Sequence, residues 1–357
     1  MSKKAKTAVV STVVVSTVLL SGCGLFGGDK AVEQIDPPKK VSYVEKEQSL
    51  KTDAAKETKK DEKASKETIK QELYLLDKNG YVVPKTFELP KTQSVAAQSL
   101  KYLVKDGPVT DKLPNGFQAV LPADTEVLGV KPEGKDTLIA DFSPEFKNYK
   151  KEDERKILEA ITYTLTQFEG IKNVKIRING YDQKVMPVNH TPIGEGVSRA
   201  DGINLDNSDI ADLTNTHAVT VYYLAGEGKK LYYVPVTKRI PNGDENKFTA
   251  VVDELIKGPS MTSGLLSDFN SDAKLLKVPT MENGKLTLDF NKSILGNMKG
   301  TKISQHVLDA LVLSLTEQPD VKSVQVMVNG KANILDEKGK ELTKPVTRPE
   351  KVNTGSF

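Results

Sequence analysis

The chain has 357 residues, with 51 Lys or Arg against 48 Asp or Glu, for a formal net charge of +3. The excess is confined to Lys3, Lys4 and Lys6; beyond residue 22 bases and acids balance, which excludes a global attraction for nucleic acid. The length suits about two domains, and with no Trp, 11 Tyr and 10 Phe their cores must rest on aliphatic residues.

Residues 1–22 read as a lipoprotein signal peptide. After the lysines comes an apolar run from Ala8 to Leu20. It is short of the roughly 20 residues that span a bilayer but suits the apolar region of a signal peptide. Leu20-Ser21-Gly22-Cys23 follows directly, and Cys23 is the only cysteine. The tetrapeptide resembles the bacterial lipobox, in which the cysteine is diacylglycerated and becomes the mature N-terminus. A thiol carrying lipid cannot serve a disulfide, a metal or nucleophilic catalysis. Two acyl chains, at about 0.8 kcal/mol per buried CH2, anchor stably where one is marginal. The expected location is therefore the extracytoplasmic face of the membrane, held through diacylglyceryl-Cys23. Residues 23–70 continue as a charged tether, densest in KETKKDEKASKETIK. Its balanced charges and scarce aromatics predict a disordered coil, with a span of about 40 Å.

The remainder is one unit written twice. Ile157 to Val185 aligns with Val307 to Leu335 at a constant offset of 150, placing Leu165-Thr166 on Leu315-Thr316 and Asn179-Gly180 on Asn329-Gly330. Upstream, Leu138 to Phe142 matches Leu286 to Phe290, Gly107-Pro108 matches Gly258-Pro259, and Pro84 and Pro90 match Pro235 and Pro241. Ordered blocks of this kind are the signature of an internal repeat.

One repeat reads as a compact α+β unit. Glu72 to Leu76 and Tyr81 to Pro84 predict two strands about Asp77-Lys78-Asn79-Gly80. Thr92 to Val104 carries one apolar helical face, with Gly107-Pro108 as its stop signal. Thr125 to Val130 and Thr137 to Phe142 predict a second hairpin. The helix expected over Glu152 to Phe168 has a wide stripe of Ile157, Leu158, Ile161, Leu165 and Phe168. Val174, Ile176 and Ile178 then alternate with Lys175, Arg177 and Asn179 as a half-buried strand does. The expected architecture is two tandem repeats, each a small three-stranded sheet with two helices on one face plus a hairpin. The domains fall at residues 71–190 and 217–340, with a linker at 191–216, expected to extend along one domain through Gly202-Ile203-Asn204-Leu205, and a C-terminal tail at 341–357.

A lipobox, a charged tether and two such units, each with a Gly-Pro block, an LxhDF strand and a VxhxhNG strand, resemble the GerMN-domain family of bacterial spore germination proteins. The resemblance covers essentially the whole chain. It implies an accessory protein of endospore formation and germination, acting between mother cell and forespore. The family's domains are similar to the ring-building motifs of secretion-system proteins, which implies a role in assembling a transenvelope channel with protein partners, and no catalysis.

The candidate sites are few. His190, His217 and His306 do not recur at repeat-equivalent positions and form no metal-ligand spacing; no metal and no cofactor are expected. Asp141 and Asp289 each precede a Phe at a strand end, where an Asp bonds backbone N–H groups as the strand turns into a helix. Asn179-Gly180 and Asn329-Gly330 read as turns tolerant of positive φ, and Gly107-Pro108 and Gly258-Pro259 as helix ends. Tyr222-Tyr223 and Tyr232-Tyr233 face each other across a predicted hairpin, and Tyr suits an interdomain or partner contact that is dry at one end and wet at the other. A peptidoglycan-modifying envelope enzyme working through Asp141 and Asp289, and a solute-binding lipoprotein, are the alternatives to an assembly role.

Overall fold

Each repeat opens with a hairpin of branched and aromatic residues. In the first, β1 (Thr68–Leu76) runs antiparallel to β2 (Val82–Pro90), with Tyr74 opposite Pro84. The Asp77 side chain closes the turn by accepting from the Asn79 and Tyr81 N–H groups, and Gly80 supplies the left-handed residue at φ +83°. The computed structural model describes residues 67–208, 214–243, 246–296 and 300–355. The expected signal peptide, the lipobox Leu20, Ser21, Gly22 and Cys23, and the tether up to residue 66 lie outside the described residues.

After α1 (Val95–Lys101), β3 (Val127–Glu133) pairs antiparallel with β4 (Thr137–Phe142), and α2 (Glu154–Leu165) carries the chain over to β5 (Asn173–Ile178), which is parallel to β4. A parallel pair needs such a crossover. Two short strands, β6 (Tyr181–Asp182) and β7 (Val197–Ser198), add to opposite ends of β5. The period-2 pattern sorts the faces: Leu138, Ala140, Phe142, Val174, Ile176 and Ile178 are buried, while Lys175 and Arg177 lie on the open face.

The second repeat has the same order. β8 (Thr216–Glu227) and β9 (Lys230–Pro241) form the hairpin, then come α3 (Lys247–Lys257), β10 (Thr280–Glu282), β11 (Lys285–Phe290), α4 (Gln305–Thr316), β12 (Ser323–Val328) and β13 (Val346–Thr347). β10 is antiparallel to β11, β11 parallel to β12, and β13 antiparallel to β12. One large apolar core runs through both repeats, from Leu73 and Leu100 to Leu311 and Val326, with a smaller cluster of Tyr222, Leu313 and Val352 apart from it. At about 1.5–3 kcal/mol per fully buried aliphatic or aromatic side chain, that shared burial favours one folded unit over two independent beads.

Several local expectations change. The helix expected over Thr92–Val104 is helical only to Lys101, because the Leu103 carbonyl turns away to accept from the Val120 and Leu121 N–H groups. Gly107 therefore does not end α1; a Cβ there would sit 2.8 Å from the Val104 carbonyl oxygen. Gly258 does end α3, at φ +81° with its N–H on the Glu254 carbonyl. Pro108 and Pro259 follow these glycines in the loops beyond.

The Asp residues bond backbone N–H, but not at a strand-to-helix turn. Asp141 Oδ1 accepts from Gly180 N at 3.0 Å and Asp289 Oδ1 from Gly330 N at 2.8 Å. Each carboxylate thereby pins the Asn-Gly turn that ends the neighbouring parallel strand. Asn179 and Asn329 take φ of +51° and +49° there, and Gly180 and Gly330 +82° and +75°. The largest departure concerns the segments expected as linker and tail, which hold the two repeats together.

Candidate functional site

Two extended segments follow the repeats, Ser198–Asp206 and Thr347–Gly355. Placed 149 residues apart they align as Arg199-Ala-Asp-Gly-Ile-Asn204 on Arg348-Pro-Glu-Lys-Val-Asn353. Each strap binds the hairpin of the other repeat. The Thr237 N–H of β9 donates to the Ile203 carbonyl, and the Ile203 N–H returns a bond to the Thr237 hydroxyl, at 2.8 and 2.9 Å. The Thr86 N–H of β2 donates to the Val352 carbonyl, and the Val352 N–H bonds the Thr86 hydroxyl, at 2.9 and 2.8 Å.

The asparagines complete the exchange. Asn204 accepts from the Val82 N–H and donates to the carbonyls of Val82 and Pro235; Asn353 accepts from the Tyr233 N–H and donates to the carbonyls of Tyr233 and Pro84. All six bonds are 2.8 Å long. Both asparagines sit at positive φ, +48° and +52°, a region their short polar side chain tolerates. Pro84 and Pro235 are repeat equivalents that lack an N–H, so each strand offers a bare carbonyl, which the opposite asparagine fills. Sequence reading set Gly202-Ile203-Asn204-Leu205 extended along one domain but missed its counterpart in the tail and the exchange between repeats, because these segments have no apolar period; the signal was the 149-residue recurrence of Arg and Asn.

The arginines lie at the helix ends of their own repeats. Arg199 donates to the Tyr163 carbonyl and Thr166 hydroxyl at the end of α2, and Arg348 to the Leu313 carbonyl and Thr316 hydroxyl at the end of α4. Their guanidiniums lie over the Tyr163 and Tyr222 rings. Symmetry breaks at one pair of positions. Gln167 of the first repeat spans Glu72 and Thr164, whereas its counterpart Glu317 takes both arginines, Arg199 at 2.8 Å and Arg348 at 3.0 Å, and a bond from the Tyr222 hydroxyl. Burial pushes the Glu317 carboxyl up, but the two guanidiniums and the hydroxyl outweigh it and hold it at about 2. A water-accessible polar cavity of about 420 Å³ adjoins this network, lined in part by Lys70, Glu72 and Glu350.

The four tyrosines do not face each other as pairs. The register sets Tyr222 opposite Pro235, Tyr223 opposite Val234, Leu224 opposite Tyr233 and Ala225 opposite Tyr232. Tyr222 belongs to the network just described, and Tyr232 reaches the first repeat by donating to Asp77 at 2.8 Å. Tyr223 instead bonds the carbonyls of Glu254 and Gly258 at the end of α3, and Tyr233 bonds Asp309 and His306 on α4. Tyr222, Tyr223 and Tyr232 are buried and Tyr233 is half-buried.

A second buried carboxylate organises the first repeat alone. Glu154 accepts from the N–H groups of Val188, Asn189 and Thr191 and from the hydroxyls of Thr191 and Tyr149. Burial opposes its charge, but these donors hold it at about 2. They fix the loop in which His190 takes φ +57°. His217 pairs with Asn242. Among the described residues no group of three or more His, Cys, Asp or Glu is arranged to hold a metal, and no helix is long and apolar enough to cross a membrane.

Comparison with known proteins agrees with the repeat. The sequence model of the family Germane, described as sporulation and spore germination, matches residues 72–184 and 220–334. The chain is 54% identical over 368 residues to the spore germination protein GerM of Bacillus subtilis (strain 168), covering all of both chains. It is also similar to the solved tandem GerMN domains of that sporulation protein, at 57% identity and a TM-score of 0.76, over 81% of this chain and 100% of that one. With two copies of the matched domain, packed through reciprocal straps, the chain belongs to the Germane family of sporulation and spore germination proteins.

Proposed function

We propose that this protein is a lipid-anchored, non-enzymatic assembly factor of endospore formation, which supports a transenvelope channel complex between mother cell and forespore. The observation that carries the reading is the full-length similarity to a spore germination protein, tandem domains included. The family is one of sporulation and germination proteins and not a known enzyme family. Asp141 and Asp289 are each engaged with a turn of their own sheet, which favours a structural part for them. Lipid on Cys23 fixes the chain to the membrane, and the tether lifts the paired repeats clear of the headgroups. There they dock onto protein partners of the complex.

Complementation tests the reading. In Bacillus subtilis lacking its GerM, this chain restores heat-resistant, germinating spores and fractionates with membranes. Cys23→Ala moves it to the soluble extracytoplasmic fraction and abolishes rescue. Affinity purification from sporulating cells recovers envelope-complex proteins with the wild-type chain. Membrane retention of Cys23→Ala would overturn the anchor, and failure of the wild-type chain to complement would overturn the role.

A further inference from the structure

We propose that Asn115 is a site of spontaneous deamidation, and that Asp141 and Asp289 protect the repeat-equivalent bonds at Asn179 and Asn329 from the same reaction. The chain has six Asn-Gly pairs, beginning at Asn79, Asn115, Asn179, Asn242, Asn283 and Asn329. Such pairs are open to this chemistry because glycine sets no side chain in the way of its own nitrogen. The Gly nitrogen gives its proton to solvent base and attacks the carbonyl carbon of the Asn side chain. A C–N bond forms there, the bond to the amide nitrogen breaks, and the proton returns on the departing ammonia. Water then opens the cyclic imide at either carbonyl, leaving an aspartyl or an isoaspartyl residue. The step needs a Gly N–H that can ionise and an Asn amide free to swing onto it.

Five of the six pairs are held against it. The Gly80 N–H donates to the Asp77 carbonyl at 3.0 Å, the Gly180 N–H to Asp141 and the Gly330 N–H to Asp289. A carboxylate so close also opposes the negative charge that the nitrogen must take. Asn242 has its amide tied on both atoms, by Asn215 and His217. Asn283 stands at φ +51° in the tight turn between β10 and β11, and Gly284 is pinned through its carbonyl, which accepts from the Lys322 and Ser323 N–H groups. Asn115 differs. It lies in the turn at residues 114–117, closed by the Phe117 N–H donating to the Pro114 carbonyl at 3.1 Å. Asn115 and Gly116 are exposed, and among the described residues neither the Gly116 N–H nor the Asn115 amide makes a hydrogen bond. The same turn seats the buried Phe117 against Tyr232 of the second hairpin, with ring centroids 5.2 Å apart. An isoaspartyl residue there lengthens the backbone beside a contact between the repeats. The inference rests on this geometry and is independent of the role in the channel complex.

The test incubates the purified full-length chain at mildly alkaline pH, folded and in guanidinium chloride, and follows all six pairs by peptide mass mapping. In the folded chain Asn115 is expected to convert first. Asn79, Asn179 and Asn329 are expected to be at least about tenfold slower, because their glycine hydrogen bonds must open before the nitrogen can react. In guanidinium chloride the six rates converge. Asp141→Ala frees the Gly180 N–H and raises the Asn179 rate in the folded chain toward that of Asn115, with Asn329 as slow as before. Conversion of any other pair ahead of Asn115 in the folded chain, or the same order kept in guanidinium chloride, overturns the assignment of the site. An Asn179 rate unmoved in folded Asp141→Ala overturns the protection. If that variant does not fold, Asp141→Asn, which keeps an acceptor and removes the charge, carries the same comparison.

Discussion

The two straps make the same hydrogen bonds to their strands, yet they are built into the molecule differently. The first begins with a short turn, Arg199–Asp201, capped by Ser198 and Asp201. Its Gly202 stands at φ +82°, where a Cβ would lie 2.5 Å from the Leu205 side chain. The second has Pro349 and Lys351 at the equivalent positions and is tied both by the exposed pair of Lys351 with Glu88 and by the buried Lys85, which donates to the Asn353 and Gly355 carbonyls. Recognition chemistry is thus separable from the way a segment is held. The backbone groups of Thr86 and Thr237 demand the same partners, while burial and chain connectivity decide how firmly each partner stays.

The largest test of that comparison removes the charge shared by both straps. Glu317→Gln leaves Arg199 and Arg348 without their carboxylate, and the loss is expected to be about 3–5 kcal/mol, as for breaking a buried ion pair. Urea unfolding measures it; a loss below about 1 kcal/mol would mean that the network is not what joins the repeats. The two asparagines come next. Each Ala substitution strands buried carbonyls and an N–H, at about 1–3 kcal/mol per unsatisfied group. Asn353→Ala should cost at least as much as Asn204→Ala, because Asn353 is buried whereas Asn204 is half-buried and water can reach the groups it strands. A clearly larger loss for Asn204→Ala would break that ordering.

Acid should act on the same centres. Glu317 and Glu154 are both held at about 2, below the ordinary 4.5. Their contribution is complete above pH 4.5 and is lost as pH falls through 2. Stability is therefore expected to drop over that window, with a shallower drop in Glu317→Gln, and melting curves taken between pH 6 and about 2 read it. A slope unchanged by the substitution would show that Glu317 does not bind protons differently on folding. The smallest effect is expected from Tyr232→Phe, which deletes one bond to Asp77 across the repeats, at about 1–2 kcal/mol. Tyr222→Phe should exceed it, because its hydroxyl both donates to Glu317 and accepts from Arg348.

Much of the fold was legible in the residues. Period 2 in Val174–Ile178, the apolar stripe of α2 and the Asn-Gly turns are local signals with local causes, and their repetition fixed the number of units. Of the straps only the extended run Gly202–Leu205 was legible; the strands they bind were not, since Ser198–Asp206 and Thr347–Gly355 have no amphipathic period and their partners lie more than 30 residues away. The tyrosine pairs were placed on the right hairpin, but the two-residue turn Gly228-Lys229 sets the register so that Tyr233 lies against Leu224.

The sequence by itself therefore determined the repeat, the element order and which face of each strand is dry, because these follow from side-chain spacing along a continuous backbone. Only the tertiary structure decided that the repeats are clasped by each other's C-terminal segments. That choice rests on two bare proline carbonyls and one buried carboxylate, whose hydrogen-bonding needs arise only once distant parts of the chain have met.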